Sequence, residues 1–149
     1  MHELSSAAAP PHVKAGSAIE RLAKAIGYPD RIPEGAIAAV LRVDGAEIRA
    51  EETSGRVMLA MTLTENADLL PSLSAYAAGR ILVEDAALAA DPKTGEAFLW
   101  QDASATAGMH ELLRLFETFM NSCDWWRDRV EALGGEEKAT DIMEAVIRP

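Results

Sequence analysis

Residues 36–64 read AIAAVLRVDGAEIRAEETSGRVMLAMTLT, and the periodicity of this stretch decides the fold class. From Ala36 to Val43, Ile37, Ala39, Leu41 and Val43 alternate with Ala38, Val40 and Arg42. In a strand such alternation sends successive side chains to opposite faces. Asp44-Gly45 follows, the dipeptide favoured in a two-residue type I′ hairpin because both positions take positive φ. The return run sets Ala46, Ile48 and Ala50 against Glu47, Arg49 and Glu51. Ser54-Gly55 marks a second turn. Arg56–Thr64 is apolar on both faces at Val57, Met58, Leu59 and Met61, the pattern of a central strand. Three strands joined by short turns predict an antiparallel meander.

Working outward toward the N-terminus, Ser17-Ala18-Ile19-Glu20 has the form of a capping box. Ile19, Leu22, Ala23 and Ile26 then share one helical face, and Gly27 and Pro29 stop the helix. Residues 1–15 are rich in Ala, Ser and Pro without periodicity and read as a disordered tail. Toward the C-terminus a second helix is predicted over about residues 69–79, with Pro71 in its first turn and Gly79 at its end. A hairpin follows, Ala86–Ala90 and Glu96–Gln101 around Asp91-Pro92-Lys93-Thr94-Gly95. The strongest element is a helix from about Ala107 to Leu133, with Met109, Leu112, Phe116, Met120, Cys123, Trp126 and Val130 in steps of three and four. Gly134-Gly135 is the predicted stop, leaving 135–149 as a tail or short helix after a domain of residues 16–134.

The charge balance narrows the partners. The chain of 149 residues carries 14 Lys+Arg against 24 Asp+Glu, a formal net charge of −10. That field repels phosphate backbones and anionic lipid, so no nucleic acid is expected as a partner. No apolar run is long enough for membrane insertion, and the start lacks the features of a signal peptide. The single cysteine, Cys123, cannot form an intrachain disulfide and suits a reducing cytoplasm.

No catalytic constellation emerges. Cys123 and His110 lie 13 residues apart on one predicted helix, about 20 Å at 1.5 Å per residue, too far for a nucleophile and its base. His110-Glu111 begins like a zinc-protease helix, but Arg114 stands where the second histidine belongs. The scattered carboxylates fit a solvated surface. The chain therefore reads as a non-enzyme with no cofactor and no metal. Trp125-Trp126 is more informative: neighbours on a helix point about 100° apart, so one of the two leaves the main stripe. It sits under the C-terminal tail or in a partner contact.

Three segments carry a family resemblance: Leu73-Ser74-Ala75-Tyr76-Ala77, then Ala87 through Gln101 with its Asp91-to-Gly95 turn, then Leu112 through Phe119 with Trp126-Arg127. Together they resemble the class I type III secretion chaperones, the CesT-like effector chaperones of Gram-negative bacteria. The upstream helix and meander agree with that family's element order. The fold implied is α+β: an antiparallel five-stranded sheet in α-β-β-β-α-β-β-α order, helices packed mainly on one face, in a homodimer. The function implied is that of a cytoplasmic chaperone binding the N-terminal segment of a secreted effector, with the secretion ATPase as a further partner. Such chaperones are commonly encoded beside their clients. On this resemblance Leu70, Leu73, Tyr76 and Ala77 are the expected dimer contact, and Leu22, Ile26, Val40, Met58 and Phe98 the expected client pockets. Periodicity alone also allows those five to be ordinary core. A small-molecule-binding or regulatory α+β domain is the alternative function for the same layers.

Overall fold

Four residues at positive φ turn the meander: Asp44 (50°) with Gly45 (78°), and Ser54 (50°) with Gly55 (75°). Both pairs close two-residue hairpins, at Val43↔Ala46 and Thr53↔Arg56. The resulting strands are β1 (Ala38–Val43), β2 (Ala46–Thr53) and β3 (Arg56–Thr64). The second strand runs past its expected end at Glu51 because its hairpin closes only at Thr53. The structure, a computed structural model, describes residues 16–147. The predicted tail over residues 1–15 lies outside that range.

The main chain forms two compact units, one ending at Ala60 and completed by Gln101–Glu117, the other comprising Met61–Trp100 and the chain from Thr118 onward. In the first, helix α1 (Ala18–Ala25) begins with both halves of the predicted capping box: Glu20 N donates to Ser17 Oγ at 3.2 Å and Ser17 N to Glu20 Oε1 at 3.0 Å. Gly35 N also donates to Glu20 Oε1, at 2.8 Å, and these backbone donors hold the carboxyl below its usual range. Ala18 N donates to Glu52 Oε1 at 3.1 Å, tying the helix start to β2. Ile19 and Leu22 of α1 join Leu41, Ile48, Ala50, Val57 and Leu59 in a buried core, while Glu47, Arg49 and Glu51 face solvent. The Arg21 guanidinium donates to the Ala105 and Ala107 carbonyls, pinning the segment that leads into the last helix.

The second unit contains a short 3-10 turn at Ala67–Leu69, helix α2 (Leu70–Arg80) with Pro71 in its first turn, and strand β4 (Ala87–Ala90). Strand β5 (Ala97–Ser104) pairs with β4 from Ala90↔Ala97 to Ala87↔Trp100. Their turn is closed by Asp91 N donating to Glu96 O and Gly95 N to Asp91 O, both at 2.8 Å. Gly95 has φ +76°, and a Cβ there would lie 2.8 Å from Ala67 Cβ. Backbone angle and space both demand glycine. Gly95→Ala is expected to lower stability by at least about 1 kcal/mol in urea denaturation, since alanine is incompatible with this φ.

Strand order is β1-β2-β3-β5-β4, so β3 is central as expected, and β1 and β4 are the edges. Among the described residues the architecture is the expected α+β arrangement of an antiparallel five-stranded sheet with three helices. Helix lengths differ from expectation. Helix α2 passes through Gly79, and the last helix, α3 (Met109–Ile147), continues across Gly134-Gly135 instead of stopping there. A helical glycine costs only about 1 kcal/mol relative to alanine, and strong helix formers flank both sites. A glycine ends a helix when the chain takes positive φ there, and none of these three does.

Candidate functional site

The first unit presents a sheet edge and one open face. Ile37 and Val40 are 65% and 51% exposed, unusual for β-branched residues beside a strand. Val40 lies opposite Arg49, and Met58 opposite Glu51, on the face away from Ile48 and Leu59. Met58 is half-buried there. The cross-strand pair Arg42–Glu47 lies on this same face. On this face apolar side chains stand among charges of both signs.

The second unit presents a different surface. Just beyond α2, Ile81, Leu82 and Val83 are 76%, 94% and 77% exposed. They adjoin a cleft of about 450 Å³ lined by Ser74, Ala77, Ala78 and Ile81 on one side, Ala86, Ala87 and Leu88 on the other, with Arg80, Glu84 and Trp126. Glu84 is the anchor of this region: its side chain is only 4% exposed and pairs with Arg80 Nη2 at 3.0 Å. Its two oxygens accept from Trp126 Nε1 at 3.0 and 3.2 Å. A carboxylate this buried needs such donors, since desolvation without them would be prohibitive. The Arg80 guanidinium also stacks 3.8 Å from the centre of the Trp125 ring, with Arg129 at 4.4 Å. Tyr76 meets Trp125 edge-on at 6.1 Å. Arg80 Nε is buried and makes no hydrogen bond among the described residues.

Nucleophilic chemistry finds no support in the remaining candidates. Cys123 is fully buried, and burial first, Asp124 second, push its thiol up to about 12. No group of three His, Cys, Asp or Glu suited to a metal occurs among the described residues. The raised thiol has a pH consequence. Between its ordinary value of 9.0 and about 12, the unfolded chain has released the proton while the folded chain still holds it. Stability therefore falls as pH rises through that window. The expected outcome at pH 8 is no labelling of Cys123 by a thiol reagent in the native protein and rapid labelling in denaturant.

No family model and no curated protein matches the sequence. Solved structures do resemble it. The HopA1–SchA chaperone–effector complex contains a chain matching with a TM-score of 0.57 at 16% identity, over 72% of this chain and 88% of the other. A chain of the ExoT–SpcS complex from Pseudomonas aeruginosa matches with a TM-score of 0.56 at 17% identity, over 78% and 97%. One from the ExsC–ExsE complex matches with a TM-score of 0.56 at 16% identity, over 74% and 91%. This chain shares its fold with those chains, in agreement with the resemblance to the class I type III secretion chaperones.

Within this fold the residues singled out from sequence fall into two groups. Leu22 and Leu73 are fully buried in the single chain, so neither is available to a partner as the chain stands. Val40 is exposed, and Ile26, Met58, Phe98, Leu70, Tyr76 and Ala77 are half-buried. Phe98 shares with Trp100 the face of β5 opposite the buried Leu99. Of the expected dimer set, Ala77 lines the cleft and Tyr76 packs on Trp125. The tryptophan pair resolves with Trp126 wholly inside and Trp125 half-buried against two guanidiniums. Sequence reasoning missed Ile37 and the run Ile81-Leu82-Val83. Three consecutive apolar residues just past a helix end were a visible signal, but no periodicity assigns them a face.

Proposed function

We propose that this protein is a chaperone for a type III secretion effector, acting as a cytoplasmic homodimer that holds the client's N-terminal segment extended. It is not an enzyme on this reading, and it hands its client to the export apparatus, where the secretion ATPase is the natural docking partner. One observation carries the proposal: beside a sheet edge unpaired among the described residues, the chain exposes the apolar side chains of Val40 on β1 and Ile37 just before it. An extended segment adds there through main-chain hydrogen bonds, with alternate apolar side chains covering Val40 and Met58. The net charge of −10 favours a client segment carrying basic residues and keeps the loaded complex soluble. Phe98 offers a further contact on the second unit, and Ile26 one at the end of α1. The second apolar surface, Ile81–Val83 beside the cleft, is assigned to the other copy of the chain, together with Tyr76 and Ala77.

Co-expression with a candidate effector encoded next to its gene is the direct test. A stable complex whose client N-terminal segment resists protease supports the proposal, and a client that purifies without this chain contradicts it. Val40→Asp removes a side-chain contact worth about 1.5–3 kcal/mol when buried. It is expected to weaken client binding by roughly ten- to a hundredfold, read by calorimetric titration, with an unchanged melting temperature. The cleft beside α2 is the feature that favours the alternative, a small-molecule domain. That reading requires a metabolite to raise the melting temperature of the isolated chain.

A further inference from the structure

The β1 edge is not uniformly open. Ile37 O accepts from Glu52 N at 2.8 Å, and the hairpin closes at Val43↔Ala46. Residues 37, 39, 41 and 43 therefore turn their main-chain groups toward β2, and Ala38, Val40 and Arg42 turn theirs outward. Among the described residues, nothing bonds the outward groups of Ala38 or Val40. Arg42 differs: its outward N–H donates to the Tyr28 hydroxyl at 3.0 Å.

Tyr28 is not placed there by a loose loop. Helix α1 ends with Ile26 as its C-cap, Gly27 at φ +68°, Gly27 N donating to Lys24 O at 3.2 Å and Tyr28 N to Ala23 O at 2.9 Å. This is the paired-bond Schellman cap, which requires a left-handed residue at Gly27's position and sets the direction of the residue after it. The half-buried Tyr28 is thereby held over one end of an edge whose other end has no partner among the described residues.

We propose that Tyr28 is a stop on this edge: an extended segment pairs with the main chain at Ala38 and Val40 and is turned away at Arg42. The proposal rests on the chaperone reading and adds to it a residue that sets the length and register of the segment accepted. The occupant is an extended segment alternating apolar with basic side chains, suited to the exposed Ile37 and Val40 and to the net negative charge. Extension past Val40 would exchange the hydroxyl–amide bond for another of similar strength and displace the ring, so it gains nothing from that amide. An edge shortened in this way is also a smaller template for unwanted pairing.

Tyr28→Phe keeps the ring and removes the hydroxyl. Amide exchange by NMR reads each position, alone and with an excess of a short blocked peptide in which valine alternates with lysine. In the free variant, the Arg42 amide is expected to exchange about five- to tenfold faster, the equivalent of one hydrogen bond, with Leu41 and Val43 unchanged. With peptide, Ala38 and Val40 slow in both proteins, whereas peptide slows Arg42 only in the variant. A variant whose Arg42 stays fast while Ala38 and Val40 slow overturns the stop and leaves edge pairing standing. Unchanged Arg42 exchange in the free variant overturns it equally. Failure of Ala38 and Val40 to slow in either protein overturns edge pairing itself, and the stop with it.

Discussion

Trp126→Ala is expected to lower the unfolding free energy by about 3–5 kcal/mol, the range for deleting a large aromatic from a close-packed interior. Trp126 is fully buried and donates its indole N–H to Glu84, whose side chain is 4% exposed. Truncation therefore opens a cavity and also leaves a buried carboxylate short of a donor, two penalties with separate signatures. Trp126→Phe retains most of the ring and isolates the second penalty. Losing a hydrogen bond to a charged acceptor costs about 1.5–3 kcal/mol, so the phenylalanine variant should fall between wild type and alanine. Domains of this kind have total stabilities of about 5–15 kcal/mol, so the alanine variant loses a large share of its margin. Urea denaturation followed by circular dichroism checks both variants. An alanine variant within about 1 kcal/mol of wild type would show that Trp126 does not anchor this unit.

Leu82→Asp is expected to leave the single chain's stability unchanged and to abolish self-association. Leu82 is 94% exposed, so the folded monomer loses no packing there, and exposed substitutions usually stay within about 0.5 kcal/mol. In the proposed dimer the same position is covered. The wild-type leucine then contributes about 1.5–3 kcal/mol, and the aspartate brings a desolvation cost on top. Self-association should weaken by more than about a hundredfold, seen as a fall in light-scattering mass at equal concentration. Tyr76→Ala serves as a contrast, because its ring packs against Trp125 within the same chain and its loss should affect stability first. Arg80 Nε is buried without a hydrogen-bond partner among the described residues, and Arg80 lines the same cleft as Ile81.

Much of the fold was legible because its signals are local. Asp44-Gly45 and Ser54-Gly55 each carry the positive φ values that hairpins need, and Ser17 with Glu20 encodes a cap within one helical turn. Helix ends were less legible. Gly79 and Gly134-Gly135 look like stops by type, but a glycine is permissive and ends a helix only where the following chain turns away. The buried Glu84 was invisible as a site because its two side-chain partners come from separate places: Arg80 four residues back, and Trp126 on the last helix. Periodicity identified Leu22 and Leu73 as apolar without telling core from surface, and both proved to be core. Ile81, Leu82 and Val83 show the converse difficulty. Outside a regular element, apolar residues have no face to be assigned, so exposure had to come from the structure.

The account turns on the claim that this chain's exposed apolar residues exist to be covered by other chains. Light scattering coupled to size exclusion, on the protein alone and after co-expression with a candidate effector encoded next to its gene, tests that claim most directly. The predicted result is a mass twice 16.0 kDa for the chain alone, and a larger complex of two copies with one client. A chain that remains at 16.0 kDa at every concentration, and elutes apart from the co-expressed protein, would contradict it.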